Sequence, residues 1–291
     1  MDEVTRVFNL GMPMGAPVHI RRGDNDAYRL NTSTGSYFVK RYIHPPDAEL
    51  TRQLEVAIAF ERRALEAGVD MPGPIDSRTG WIALIHDQFH RVHRWIEPHA
   101  EQDVERWLGR TMAQVHQLQP HGRAAVPELW LGANQPRAAW ERWLAPWSHA
   151  LPVVLAAAER LAALEEIPDL VTTHGDFKPH NLVHSATGPL LVDWDNVRTD
   201  SAALEAARVA HIFAAGDPAT IDLILDAYAG AGGRLDWPGP DLFLSVTRNH
   251  LQVIADFAQV IHGEKPPARW MPPDLEAALT QRLTHLTALA Q

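Results

Sequence analysis

The sequence His174-Gly175-Asp176-Phe177-Lys178-Pro179-His180-Asn181 is followed closely by Leu190-Leu191-Val192-Asp193-Trp194-Asp195. Asp176 and Asn181 stand five apart, and Asp193 comes 17 residues after Asp176, at the end of an apolar run with strand character. The residue types suit one chemistry. A carboxylate such as Asp176 can orient a hydroxyl and take its proton as the oxygen attacks phosphorus. A second carboxylate and an amide carbonyl form the hard-oxygen donor set that magnesium prefers, and magnesium shields phosphate charge. Alone, Asp176 would read as a surface residue capping a turn; three such groups at these spacings outweigh that reading. A calcium loop starting at Asp193 fails, because its sixth position is Arg198, not Gly, and its twelfth is Leu204, not Glu.

The separation of Asp176 from Asn181 is that of the base and the metal-binding Asn in a kinase catalytic loop. HGDFKPHN followed by LLVDWDN resembles the aminoglycoside phosphotransferase superfamily, small-molecule kinases of protein-kinase-like fold that include the choline kinases. The resemblance covers most of the chain. It implies an α+β, bilobal fold: a small antiparallel β-sheet lobe with one helix (1–97, nucleotide-binding) and a larger, mostly helical lobe (98–291, catalytic and acceptor-binding). It implies Asp176 as base, Asn181 and Asp193 as magnesium ligands, and ATP as phosphate donor. Phe38-Val39-Lys40 looks like the third-strand lysine segment, which gives Lys40 the α/β-phosphates. Arg94-Trp95-Ile96-Glu97-Pro98 looks like the hinge, where backbone groups of Trp95, Ile96 and Glu97 would take the adenine edge. Leu108–His116 looks like the helix after it. Gly175 stands where protein kinases have Arg, Trp194-Asp195 where they have Phe-Gly, and the first hairpin has the single glycine Gly23. These departures point to the small-molecule branch.

Lys40 needs an acidic partner. Glu61 falls near the centre of the apolar stripe Leu50, Leu54, Ile58, Leu65, and a core-facing carboxylate needs a cation. Glu61 is therefore preferred; Glu55, nearer Lys40 in sequence, is the alternative. His174 is expected to hold loop backbone. Lys178 either reaches the γ-phosphate or is a solvated loop lysine. His86, His90 and His93 read as part of a hairpin, not a zinc site. Trp140, Trp143 and Trp147 read as helix packing or as an aromatic wall for the acceptor, with Trp237, Asn249, His250, Asp256 and Trp270 as further acceptor-side residues.

Outward from the motif, the first 97 residues are strand-rich. Strands are expected at 17–21, 27–31, 37–42, 81–85 and 89–96, with a helix over 49–67 closed by Gly68. Beyond Pro98 the periodicity is helical over 103–118, after Pro136, and over 151–164, 201–215, 219–228, 242–261 and 273–289. Strand-like runs interrupt it at 170–173 and 189–192.

Composition sets the outer bounds. The 291 residues carry 26 Lys and Arg against 36 Asp and Glu, a formal charge of −10. That balance opposes general nucleic-acid binding and adsorption to anionic membranes. There is no cysteine, so no disulfide, thiolate metal site or Cys nucleophile. The acidic start lacks signal-peptide form, and no apolar run approaches the roughly 18 residues of a membrane span, so a cytoplasmic protein is expected. The acid excess and the resemblance together favour a cationic hydroxyl acceptor of aminoglycoside type. A metabolic kinase for choline, an amino alcohol, homoserine or a sugar is the alternative. A non-catalytic nucleotide binder is opposed by the intact Lys40, Asp176, Asn181 and Asp193.

Overall fold

The computed structural model describes residues 1–22, 25–126 and 135–289. Gly23 and Asp24, in the turn expected between the first two strands, lie outside the described residues. In chain order come α1 (Asp2–Val7), β1 (Val18–Arg22), β2 (Asn25–Thr32), β3 (Gly35–Tyr42), α2 (Ala48–Glu66), β4 (Ala83–Ile85) and β5 (Gln88–Arg94). Then follow α3 (Glu105–His116), β6 (Gly122–Ala125), α4 (Arg137–Trp143), α5 (Leu151–Ala162), β7 (Glu166–Thr173), β8 (Leu182–Ser185), β9 (Gly188–Leu191) and β10 (Arg198–Ser201). The chain ends with α6 (Ala202–Phe213), α7 (Pro218–Gly230), α8 (Leu244–Ile261) and α9 (Leu275–Leu289). By internal packing the chain forms two compact units: Met1–Trp107 with His174–Arg198, and Leu108–Thr173 with Thr199–Gln291. The 174–198 loop region thus packs with the N-terminal residues, a different division from the single cut after Glu97.

In the first unit the five-stranded sheet has the order β1-β2-β3-β5-β4, and every pairing is antiparallel. Side chains alternate between faces along a strand, and directly opposed residues share a face. Val39 opposes Val92, and together with Leu30, Tyr37 and Ile85 they pack against Val4 and Phe8 of and beside α1. The six-residue α1 escapes the sequence pattern because it is barely two turns long. Its acids stand in the first turn and Arg6 in the last, as the helix dipole favours. Phe38 opposes His93 and Lys40 opposes Arg91 on the other face. Asp47 caps α2, its side chain accepting the Leu50 N–H at 2.7 Å. This helix buries Leu54, Ala57, Ile58, Phe60, Glu61 and Ala64. Phe60 meets Trp194, in the turn Trp194–Asn196, at 6.2 Å between ring centroids. β8 and β9 form a hairpin within the motif region.

The second unit is mostly helical, with the three-stranded sheet β10-β7-β6. Its core gathers Trp140, Leu144, Val154, Leu251, Ile254 and Leu279, all fully buried. Burying each aliphatic side chain contributes roughly 1.5–3 kcal/mol. At Gly109 on α3 a Cβ would come within 2.4 Å of the Ile224 carbonyl of α7, so only glycine permits that approach. Asp169 on β7 accepts Ser201 Oγ (2.7 Å) and the Ala203 N–H (2.9 Å), an acid placed at the N-terminus of α6. Glu205, also on α6 and fully buried, joins His116 Nε2 (3.0 Å), Arg208 (3.0 Å) and the Thr173 hydroxyl at the end of β7. No described helix is long and apolar enough to cross a membrane.

Candidate active site

Lys40 reaches its position because β3 is an interior strand whose register with β5 is fixed over five residue pairs. Its ammonium lies 2.6 Å from Asp193 Oδ1 and 2.5 Å from Asp195 Oδ2. Burial opposes the charge on Lys40, but Asp195 and Asp193 more than offset it and raise its pKa. Asp193 adopts a left-handed backbone, φ 67° and ψ 64°, which costs a non-glycine residue roughly 1–2 kcal/mol. That turn directs both acids of Asp193-Trp194-Asp195 to the same lysine.

The two acids are held differently. Asp195 also accepts the Tyr42 hydroxyl at 2.8 Å and Arg91 Nη1 at 3.1 Å. Burial works against its ionisation, yet Lys40 and then Arg91 hold its carboxyl down to about 2. For Tyr42, burial and then the Asp195 charge push the hydroxyl well above its ordinary range. Asp193 is one-third exposed at its side chain and meets Lys40.

The ion pair expected between Lys40 and Glu61 is not formed. Glu61 is buried on α2, as its place in the apolar stripe requires, but its carboxylate takes Arg91 Nη2 and, at 3.1 Å, His93 Nε2. Burial would raise the Glu61 pKa; Arg91 and His93 outweigh it and lower it. The cation that a buried glutamate demands therefore comes from β5. Glu55 faces outward and is exposed. Arg91 was missed because its position opposite Lys40 depends on strand register, which has no local signal.

Around Asp176 the loop is tied internally. Asn181 Nδ2 donates to Asp176 Oδ2 at 2.8 Å and to the Asp176 carbonyl at 2.9 Å, a contact not expected from the sequence. Lys178 Nζ lies 2.6 Å from Asp176 Oδ1. Burial would raise the Asp176 pKa, but Lys178 and then Asn181 lower it below the usual carboxylate range. The carboxylate is thus ionised and able to accept a proton at neutral pH. His174 is fully buried; its Nε2 lies 3.0 Å from the Val192 carbonyl and its Nδ1 accepts the Asp176 N–H at 3.3 Å. It links the Asp176 loop to the run before Asp193, and Phe177 and Trp194 pack on its ring. Gly175, at φ 77°, admits this closeness: a Cβ there would stand 2.1 Å from the Asn196 carbonyl.

Trp95, Ile96 and Glu97 follow β5. The Trp95 N–H bonds Ser36 O at 3.0 Å, its indole donates to Glu97 at 2.9 Å, and Arg29 stacks 4.7 Å over the ring. His90 Nδ1 is bonded to the Gln88 carbonyl and His93 to Glu61. Trp140 and Trp143 are buried edge-to-face partners in the helical core.

The donors present fit a divalent cation of one kind. The described residues hold no group of three or more His, Cys, Asp or Glu able to grip a metal unaided. A carboxylate at Asp193 and an amide oxygen at Asn181 are hard-oxygen donors of the type that a magnesium ion would take.

Comparison with known proteins bears on the fold and the family. Among solved structures, spectinomycin phosphotransferase in complex with ADP and spectinomycin is 12% identical with a TM-score of 0.66, covering 99% of this chain and 97% of that one. An aminoglycoside phosphotransferase from Alicyclobacillus acidocaldarius is 16% identical (TM-score 0.60; 100% and 95% covered). A choline/ethanolamine kinase family protein from Mesorhizobium loti is also 16% identical (TM-score 0.57; 100% and 94% covered). These likenesses establish the α+β, bilobal, kinase-like fold. No curated protein matches the sequence. Residues 20–243 of the 291 match the model of the phosphotransferase enzyme family, so the chain belongs to that family, as a small-molecule phosphotransferase acting on hydroxyl groups.

Proposed function

We propose that the protein transfers the γ-phosphate of ATP, with magnesium, to a hydroxyl of a cationic small molecule of aminoglycoside type, in the cytoplasm. The observation that carries the chemistry is the Asp176 carboxylate, kept ionised between Lys178 and Asn181 in the same compact unit as Lys40 and Asp193. Asp176 orients the acceptor hydroxyl and takes its proton. Lys40 binds the α/β-phosphates, and backbone groups at Trp95, Ile96 and Glu97 take the adenine edge, with 1–97 as the nucleotide-binding lobe and 98–291 as the catalytic and acceptor-binding lobe. Asn181 and Asp193 would hold magnesium, which supplies positive charge against the phosphates. Spectinomycin, in the first of the solved relatives, is the kind of acceptor this reading assigns. The overall charge of −10 favours a cationic one.

The test is ADP release with magnesium and ATP across a panel of aminoglycosides, choline, amino alcohols, homoserine and neutral sugars. Turnover of an amine-bearing antibiotic, abolished in Asp176→Asn, is the expected result. Turnover confined to choline, amino alcohols, homoserine or sugars would move the protein to a metabolic kinase. Tight nucleotide binding with no turnover on any acceptor would make it a non-catalytic binder.

A further inference from the structure

Lys40 and Arg91 are directly opposed in the β3–β5 ladder, so two cations stand on one face roughly 5 Å apart at Cβ. Like charges so placed repel, and the arrangement persists only because acids divide them. Arg91 is almost wholly buried and its fork is split: one nitrogen takes Glu61 of α2, the other takes Asp195 at 3.1 Å. His93 backs Glu61 from the same strand, and Tyr42 backs Asp195. Lys40, by contrast, bonds only the two acids of the 193–195 turn among the described salt bridges. The guanidinium's rigid planar fork presents separate nitrogens to Glu61 and to Asp195, a geometry that the single ammonium of lysine does not reproduce.

We propose that Arg91 is a positioning residue for phosphoryl transfer: by holding Glu61 and neutralising Asp195, it releases Lys40 from its carboxylates to bind nucleotide phosphates. The inference deepens the assignment of Lys40 to the phosphates and rests on it. Without Arg91, Asp195 has Lys40 as its remaining buried cation, and Lys40 stays with Asp195 when nucleotide arrives. Arg91 then acts only through Lys40, and its removal matters only where Lys40 is present.

A double-mutant cycle separates this from a structural role. Wild type, Lys40→Met, Arg91→Gln and the double variant are titrated calorimetrically with ATP and magnesium, without acceptor, and each is checked for folding by thermal unfolding. Arg91→Gln is expected to weaken binding about tenfold in the presence of Lys40 and less than twofold in its absence, a coupling typical of residues in one ion network. Arg91→Lys should fail to restore affinity, since it lacks the fork whose two nitrogens meet Glu61 and Asp195 separately. If Arg91→Gln does not fold, the cycle is run on a Glu61→Gln background, which removes the acid left uncompensated. Equal losses with and without Lys40, or no loss in a folded variant, would overturn the proposal. Failure of wild type to bind, or of Lys40→Met to weaken binding, would overturn the nucleotide reading of Lys40 itself. An additive cycle in a binding-competent protein overturns the role of Arg91 alone.

Discussion

His250 offers a quantitative test of the packing in the helical unit. It sits on α8, only 3% exposed, with its ring 6.4 Å from that of His211 on α6 and 6.0 Å from that of His285 on α9. Burial first, then the charges of Arg282, His211 and His285, bring its pKa down from 6.5 to about 4. A histidine that resists protonation when folded takes up its proton more readily when unfolded. Stability is then unaffected by this group above pH 6.5 and falls as pH drops from 6.5 toward 4. The slope approaches about 1.4 kcal/mol per pH unit, so the loss by pH 5 is about 2 kcal/mol. The buried acids Asp195 and Glu205, with pKa values of about 2, lose their contribution only at lower pH, which leaves the window from 6.5 to 5 to histidine. Burial lowers the pKa of His90 and His211 as well, so the comparison must be with a variant lacking only His250. Urea unfolding of wild type and His250→Gln, followed by helical signal from pH 8 to pH 5, gives the difference in stability at each pH. That difference should shift against wild type by about 2 kcal/mol as pH falls. A difference constant to a few tenths of a kcal/mol would refute the reasoning.

Three further outcomes are expected. Asp176→Asn should lose about 10²–10⁴-fold in kcat with the true acceptor while its affinity for ATP with magnesium changes less than about twofold. Gly175→Ala should lower unfolding free energy by at least about 2 kcal/mol, because it adds both a left-handed strain and a clash with the Asn196 carbonyl; chemical denaturation reads this directly. Asp193→Ala should keep its melting temperature and lose magnesium-dependent ATP binding, whereas Asp195→Ala should lose stability first, since it leaves the buried Arg91 Nη1 and Tyr42 hydroxyl without their acceptor; calorimetry and thermal unfolding on the same two variants distinguish these effects.

What the sequence reveals divides by range. The loop that holds Asp176 and Asn181 is local, and its residue types and spacing single it out, although the hydrogen bond between the two side chains does not follow from them. The burial of Glu61 follows from helical periodicity, because a residue's place on a helix face needs only its neighbours. The partner of Glu61 is not local: it depends on β5 lying beside β3 with Lys40 opposite Arg91, and nothing near residue 91 encodes that register. β8 is hidden for another reason. Leu182–Ser185 begins immediately after the motif and mixes apolar with polar side chains, so no alternation of useful length exists. β6, four residues of Gly, Arg and Ala with no buried side chain, has no pattern to read. The tryptophans at 140 and 143 are buried in the helical core, the packing role that their helical spacing suggests.

The charges around Lys40 also explain why the site suits a nucleotide delivered with its cation. Glu61, Asp193 and Asp195 bring three negative charges, and Lys40 and Arg91 bring two positive ones. Arg91 cancels Glu61 and shares Asp195, so the unbalanced charge falls on the turn at Asp193. Bare triphosphate drawing Lys40 toward its own oxygens would leave the Asp193 carboxylate without its lysine. On the proposed reading, a divalent ion on the phosphates would offset that loss: Asp193 would serve as its ligand, and Lys40 would be free to meet phosphate. The exchange costs little for Asp193, which is partly exposed and meets a single lysine, and much for Asp195, which is buried among three donors. The left-handed backbone at Asp193 accompanies this difference, with the more exposed acid at the turn's first position and the more buried one two residues later.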